Sequence, residues 1–414
     1  MNKKLFLIFS SAIILRLSLF FIGYHGDLNN NISWGLTGFT RGLDGFYEYE
    51  TWSYSVPNQP PLYILLFVFL QAIWELVYAC ASWLNDSISL FPSAFIWFWQ
   101  NRGMILLVKT PSLLADLVIG LLIFRFLKNK KPKWALRGLL LWLFNPVVWY
   151  NSAVWGQTDV FVNLLGFVGI LNLLDRKLVS SVIWFTLSFL FKGSLAIFAP
   201  IIIYVILKQK YEIKTLLKAS IFFLLIIALV SIWFHPKLDL YLWLFNLYKN
   251  QILPGEIGFL TANAFNFWWL VNPGRVYDSK IFFGLSVRVW GYFISLGLIL
   301  PLILKLKKIK PKKIFFALGL SALVTFLFMS RIHERYLYPF FPMATVSLAY
   351  YPQILPVYLI LSLTHLLNLY HLFWVPNFSL LENLYTNYNF MNLLSTIQII
   401  GFFYLYYIYF AKSK

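Results

Sequence analysis

LFLIFSSAIILRLSLFFIG (residues 5–23) runs directly into YHGDLNNNISW (residues 24–34). At about 1.5 Å per helical residue, the first stretch is long enough to cross roughly 30 Å of hydrocarbon. The second places a carboxylate, Asp27, just outside that span. The apolar run follows MNKK as a signal peptide would, but it lacks a small-residue cleavage site and carries Arg16 in its middle. A retained helix is therefore expected. Runs of about 15–22 apolar residues recur to the C-terminus. Hydrophobic residues make up 60% of the 414 positions and charged residues 12%, about half the charged share of a soluble domain. These features define an all-α, polytopic membrane protein, with residues 1–414 forming a single integral membrane domain. The single cysteine, Cys80, excludes an internal disulfide and a cysteine metal cluster.

The net charge of +19 comes from clusters at 128–137, 208–218, 305–313 and the tail 412–414. Short basic loops between apolar spans mark the cytoplasmic side, so these clusters are read as topology signals rather than a nucleic-acid surface. Holding them inside puts both termini in the cytoplasm and gives about 12–14 transmembrane helices. The expected spans between the basic loops at 128 and 208 are 138–155, 158–174, 178–192 and 194–207. Three crossings, at 62–84, 88–108 and 110–127, are expected before residue 128, with one crossing plus re-entrant pieces as the alternative of the same parity. Later spans fall near 219–235, 284–304, 314–330, 336–350, 353–374 and 391–411. On this path 24–59 is a first external loop, 236–283 is a second large one, and WGQTD (155–159), FKG (191–193) and RIHERY (331–336) share the outer face.

The chain has only fifteen acids, and four of them, Asp27, Asp44, Glu48 and Glu50, fall in the first external loop. Glu75, Asp116 and Asp159 lie in or at the edge of apolar spans, where an ionisable group marks a buried pair, a pathway or a site. For Asp116 a structural pair with Lys109 or Arg125 is one reading; Glu75 is expected to reach toward a boundary. The first loop also holds Trp34, Phe39, Phe46, Tyr47, Tyr49, Trp52 and Tyr54, a composition suited to interfacial helices in the headgroup region. Taken alone, Asp27 fits a helix N-cap as well as a site acid. The external cations Lys192, Arg331 and Arg335, with His333 and Glu334 among them, suit an anionic phosphate entering from the bilayer or simple interfacial anchoring.

Read together, the motifs resemble those of the C-type (GT-C) integral membrane glycosyltransferases, which use polyprenyl-phosphate-linked sugars. The likeness is greatest to the dolichyl-phosphate-glucose-dependent glucosyltransferases of N-glycan assembly and their bacterial relatives. GDLNNNISW (26–34) resembles the opening of that family's first external loop, with a tryptophan, Trp34, seven residues after the aspartate. NQPPLY (58–63) is similar to its closing Tyr-Pro-Pro element, with Gln59 in the tyrosine position. KTPSLLADL (109–117), FNPVVWYNSAVWGQTD (144–159), FKG, NAFNFWWL (263–270) and HERYLYP (333–339) follow in the family's order, with Gly193 in a proline position. The departures at Gln59 and Gly193 bear on the sugar pocket.

The resemblance implies an inverting hexosyltransferase acting on a lipid-linked glycan or another extracytoplasmic acceptor. Asp27 is then the general base and Asp44 the competing one. Lys192, Arg331, His333, Glu334 and Arg335 are expected around the phosphate, and Trp34, Trp155, Gln157 and Asp159 around the sugar. It also implies metal independence. The histidines at 25, 235, 333, 365 and 371 show no zinc-type spacing, and no glycine-rich phosphate loop suggests a nucleotide. The expected location is a prokaryotic plasma membrane with the site facing outward, or else the endoplasmic reticulum membrane. A transporter or flippase of a lipid-linked or small polar substrate is the rival reading. It calls for ionisable groups near the midplane, in broken helices from two related halves; here the charges gather at one face.

Overall fold

The computed structural model describes residues 3–253 and 258–411, so the basic tail 412–414 and part of the second large loop lie outside the described residues. The fold is almost wholly helical. In chain order the helices begin with α1 (Lys3–Leu19), α2 (Asp27–Arg41), α3 (Pro61–Ser87), α4 (Ser93–Phe98), α5 (Met104–Lys130), α6 (Pro132–Leu143) and α7 (Pro146–Trp149). They continue with α8 (Asp159–Leu174), α9 (Leu178–Phe191), α10 (Ala199–Gln209), α11 (Ile213–Ser231), α12 (Leu240–Leu247) and α13 (Phe267–Val271). After a small hairpin of β1 (Ile281–Phe282) and β2 (Leu285–Ser286) come α14 (Val287–Leu304), α15 (Pro311–Phe328) and α16 (Phe340–Leu348). The chain closes with α17 (Leu355–Leu372), α18 (Ser379–Tyr385) and α19 (Tyr388–Ala411).

Among the described residues, seven helical units are long and apolar enough to cross a membrane, and three shorter apolar helices, 159–174, 178–191 and 193–209, fall where spans were expected. Prolines set several starts. Pro61, Pro132 and Pro311 stand at the first helical turn, where a missing N–H loses nothing and φ is already helical.

The structure departs from the expected path in three places. Two apolar units, Pro61–Ser87 and Ser93–Lys130, replace the three crossings expected over 62–127. The helix continues past residue 108 with Pro111 inside it and a π-helical turn at Trp99–Gly103. The two units are tied by reciprocal bonds, Trp74 Nε1 to the Trp99 carbonyl (3.3 Å) and Trp99 Nε1 to the Trp74 carbonyl (3.0 Å). The span expected at 138–155 is broken after Leu143, where Asn145 caps α7 by accepting from the Val147 N–H. The span expected at 336–350 shrinks to α16, because residues 331–339 are spent on turns. Glu75, half-buried, accepts from Gln71 (2.9 Å) within α3.

At the centre lies α15, with every residue from Ile314 to Phe328 buried, the pattern of a helix that is apolar all round. The first loop is sewn to this bundle. Leu28, Asn31, Trp34, Gly35 and Gly38 form the buried stripe of α2. A Cβ on Gly35 would lie 2.6 Å from the Phe67 carbonyl oxygen, so only glycine lets α2 approach α3 this closely. The aromatic residues of the loop divide. Phe46 and Tyr47 are buried against Phe234, whereas Phe39 and Tyr54 remain exposed.

One buried ion pair links four segments. Asp116, on α5, pairs with Arg16 of α1 at 2.7 Å, both side chains being fully buried. The expected partners, Lys109 and Arg125, are not used. Asp116 also accepts from Ser152 Oγ (2.6 Å) and Tyr338 Oη (3.3 Å). Arg16 spends its other donors on the carbonyls of Ala12 (3.2 Å) and Leu143 (3.0 Å). Lys109 instead donates to the carbonyls of Phe20, Gly23 and Val154 at 2.7, 3.0 and 2.9 Å, pinning the end of α1 to the segment before Gln157.

Removing one member of a buried pair leaves an uncompensated charge, at a cost of about 3–5 kcal/mol. Asp116→Asn should therefore lower the thermal unfolding midpoint in detergent sharply. The apolar double variant Arg16→Met/Asp116→Leu should recover most of that loss; equal losses in both would show that the pair's charge is not what matters.

Candidate functional site

Four chain segments, each ending or beginning a helix, meet at one end of the bundle. Asp27 is the first residue of α2, after Gly26 at the N-cap. Its carboxylate makes no capping bond; Oδ2 accepts from Gln157 Nε2 at 2.7 Å and lies 3.5 Å from His25 Nδ1. The capping alternative for Asp27 is thus not what the fold uses. Gln157 is held in turn, its N–H bonded to the Asn151 carbonyl (2.9 Å) and its carbonyl to Ser112 Oγ (2.8 Å). The turn before it needs Gly156, whose φ of +83° is left-handed, with Leu28 and Lys109 packed at 3.1 Å from where a Cβ would stand.

Asp159 opens α8, and Lys192 directly follows α9. Lys192 Nζ and Asp159 Oδ1 are 2.6 Å apart. The fourth segment, after α15, brings Arg335 between the two aspartates. Its Nη1 is 4.0 Å from Asp27 Oδ2 and its Nε is 3.9 Å from Asp159 Oδ2. Glu334, fully buried, holds Arg335 Nη1 at 2.9 Å. Arg335 Nε and Asp159 Oδ2 are both buried without a hydrogen bond among the described residues, so donor and acceptor capacity remain at the junction.

Around this junction are two cavities. One, of about 360 Å³, is polar, with Asp27, Gln157, Trp34, Lys192, His333 and Arg335 in its walls. The other, of about 310 Å³, is more apolar and includes Asp159, Ile197, Met329 and Pro339. They share Asn58, Gln59, Lys192, Ile252, Arg335 and Tyr336.

Burial pushes the Asp27 carboxyl up, but Arg335, His25, the Gln157 bond and Lys192 outweigh it and hold it below its ordinary value. Burial, reinforced by Arg335 and Lys192, lowers His333 to about 3, and burial lowers His25 too. Both imidazoles are neutral at pH 7. Burial raises the Glu334 carboxyl despite Arg335. The arrangement is thus one exposed-edge carboxylate, Asp27, facing a fixed pair of cations. Such a group can take a proton and stabilise a developing anion.

Several expectations need correction. Arg331 does not line either cavity; its Nε and Nη2 reach Asp278 at 2.7 and 3.0 Å, a two-pronged guanidinium–carboxylate contact that turns it toward the second large loop. Asp44 is exposed and lies outside both cavities. Trp155 is fully buried and packs beneath His25 and Phe373, so it supports the site without lining it. Glu334 likewise acts through Arg335.

Sequence reasoning missed Asn30, Asn31, Asn58, Tyr63 and Asn263, all in the polar wall. The asparagine run after Asp27 was the available signal. Asn263, with φ +65°, bridges to the His333 backbone. Among the described residues no group of three or more His, Cys, Asp or Glu is placed to hold a metal ion. No family model matches the chain, and no curated protein matches its sequence.

Removing the Arg335 charge should raise the Asp27 carboxyl. In Arg335→Gln the carboxylate band of Asp27, followed by difference infrared titration, should move to higher pH. No movement would mean that the guanidinium does not act on Asp27.

Proposed function

We propose that the chain is an inverting glycosyltransferase of the C type, moving a hexose from a polyprenyl-phosphate-linked donor to a hydroxyl of an extracytoplasmic, lipid-linked or glycan acceptor. The observation that carries this reading is the opposition of Asp27 to Lys192 and Arg335 at the junction of the polar and the more apolar cavity. A lipid-linked sugar is itself divided in this way, with hydroxyls, an anion and a hydrocarbon chain in sequence. The polar cavity offers carboxamides from Asn30, Asn31, Asn58, Gln59 and Asn263 with Trp34 and Tyr63, groups that bond and stack on a neutral sugar. An apolar groove of about 330 Å³, between α9 and α10, also has Lys192 in its wall. It gives hydrocarbon a path away from the cation.

In the proposed reaction the acceptor oxygen attacks the anomeric carbon while Asp27 takes its proton. The bond from that carbon to the phosphate oxygen breaks, and the phosphate leaves with the bonding pair. A phosphate is already a stable anion and needs no general acid, unlike the leaving group of a glycosidase. Lys192 and Arg335, fixed in place by Asp159 and Glu334, balance the departing charge. A single displacement inverts the anomeric centre. Against a transporter stands the placement of these groups at helix ends on one side of the bundle. The buried mid-helix acid, Asp116, is already committed to Arg16.

The test is sugar transfer by the protein in lipid nanodiscs, with a panel of polyprenyl-phosphate hexoses, a membrane-lipid and glycan acceptor extract, and EDTA present or absent. Asp27→Asn should lose at least ~100-fold in rate, and Arg335→Gln roughly 100-fold. Asp44→Asn, outside the cavities, should keep its rate. Full activity in Asp27→Asn sinks the mechanism, and inhibition by EDTA removes the expected metal independence.

The acid limb gives a separate check. Because Asp27 is held below its ordinary value, the rate should fall only below about pH 4. A loss centred well above pH 4 would take the proton away from Asp27.

A further inference from the structure

Away from the site an apolar cleft of about 490 Å³ lies between α6 and α17. Its walls are Trp134, Leu140 and Phe144 on one side and Leu355 and Leu359 on the other, with Asn145 at the floor. The floor is satisfied within the protein. Asn145 Nδ2 donates to Tyr358 Oη and Ser362 Oγ, both at 2.9 Å, and Tyr358 Oη also bonds the Leu141 carbonyl (3.3 Å). With its polar atoms engaged and hydrocarbon walls, the cleft suits an apolar chain better than water.

Its depth is informative. From Trp134 to Leu143, where α6 ends, the helical rise is about 14 Å, somewhat under half the ~30 Å of a hydrocarbon core. A chain entering from one leaflet would fill it and stop at the Asn145 floor.

The mouth carries the other half of the recognition. Arg137 lies in the wall itself, stacked on Trp134 at 5.4 Å. Lys131 sits over Tyr350, just before α17, at 5.4 Å. Lys128, Lys130 and Lys133 belong to the same acid-free stretch. Among the described residues, none of these five cations is within ion-pair distance of a carboxylate. Basic mouths between membrane helices attract anionic lipid headgroups.

We propose that this cleft binds one anionic diacyl phospholipid of the bilayer, with an acyl chain between α6 and α17 and the phosphate at Arg137 and Lys131. The site is separate from the cavities at Asp27 and does not depend on the reaction proposed there.

The test uses the full chain in nanodiscs of mixed phosphatidylglycerol and phosphatidylcholine, with retained lipid counted by native mass spectrometry. One phosphatidylglycerol per chain should be held in preference to phosphatidylcholine. Arg137→Gln should cut that preference about fivefold, the effect of one cation near an anionic headgroup. Leu140→Trp and Leu359→Trp fill the cleft from opposite walls. Each should abolish retention of the last lipid while unfolding, in phosphatidylcholine alone, at the native temperature. Equal retention of the two phospholipids overturns the proposal, as does retention that survives in whichever filled variant is folded. Stronger retention of added polyprenyl phosphate than of phosphatidylglycerol would assign the cleft to a different lipid and overturn it too.

Discussion

The fold is organised around the contact between Arg16 and Asp116, two charges buried completely within a largely apolar bundle. Two such charges stripped of water are tolerated only when their remaining lone pairs and protons find partners. The protein meets that demand with Ser152, Tyr338 and the carbonyls of Ala12 and Leu143. Apart from Ala12, which lies in α1 with Arg16, these partners come from other parts of the chain, so satisfying the pair also fixes where those parts stand. Lys109 repeats the device one helical stretch earlier, with three backbone carbonyls in place of a carboxylate.

The candidate site is a by-product of that arrangement. Asp27 follows α1, whose end Lys109 holds; Gln157 follows the segment that carries Ser152; Arg335 stands three residues before Tyr338. Their side chains meet because their backbones are already anchored. The cations are likewise set by acids, Lys192 by Asp159 and Arg335 by Glu334. In the proposed reaction, positive charge is therefore in position before a phosphate develops its own negative charge, which is where electrostatic preorganisation has most effect.

Most of the charged residues of the site were legible in the sequence, because an acid or cation at the edge of an apolar run is costly enough to stand out. Asp27, Gln157, Asp159, Lys192, His333 and Arg335 were all singled out in this way or by the family-like motifs around them. Direction was not legible. Arg331 and Arg335 are four residues apart, yet one faces Asp278 and the other the cavity, a choice made by the left-handed backbone of Arg331 and by contacts with the second loop. Nor was the partner of Asp116 legible. Nearby Lys109 and Arg125 were reasonable guesses, but the pairing bridges 100 positions and depends on how α1 packs against α5. The uncharged amides of the cavity left little trace, since asparagine in a loop has many ordinary uses. The helix breaks at 144–145 and the continuity through Pro111 were hidden for a similar reason: apolar length is visible in sequence, whereas tertiary support for a break or a proline is not.

Tyr338, bonded to Asp116, makes the segment carrying Arg335 part of the innermost polar core, and Ser112 does the same for Gln157. Segments in proteins open with free energies ranging from near zero to that of global unfolding, and two sides of this cavity belong to the stiff end. The opposite wall is built differently. Residues 51–60 are loop without helix or strand, held by side-chain contacts that include Tyr47 to the Gln59 carbonyl, Gln251 to the Pro57 carbonyl, Trp34 to the Ser55 carbonyl and Asn30 to the Ser55 N–H. Contacts of this kind can be exchanged for water without breaking a helical ladder. One face of the cavity is thus tied into helices and the other is loop held by side chains; in the reaction proposed above, entry of a bulky donor would fall to the stretch that carries Asn58 and Gln59.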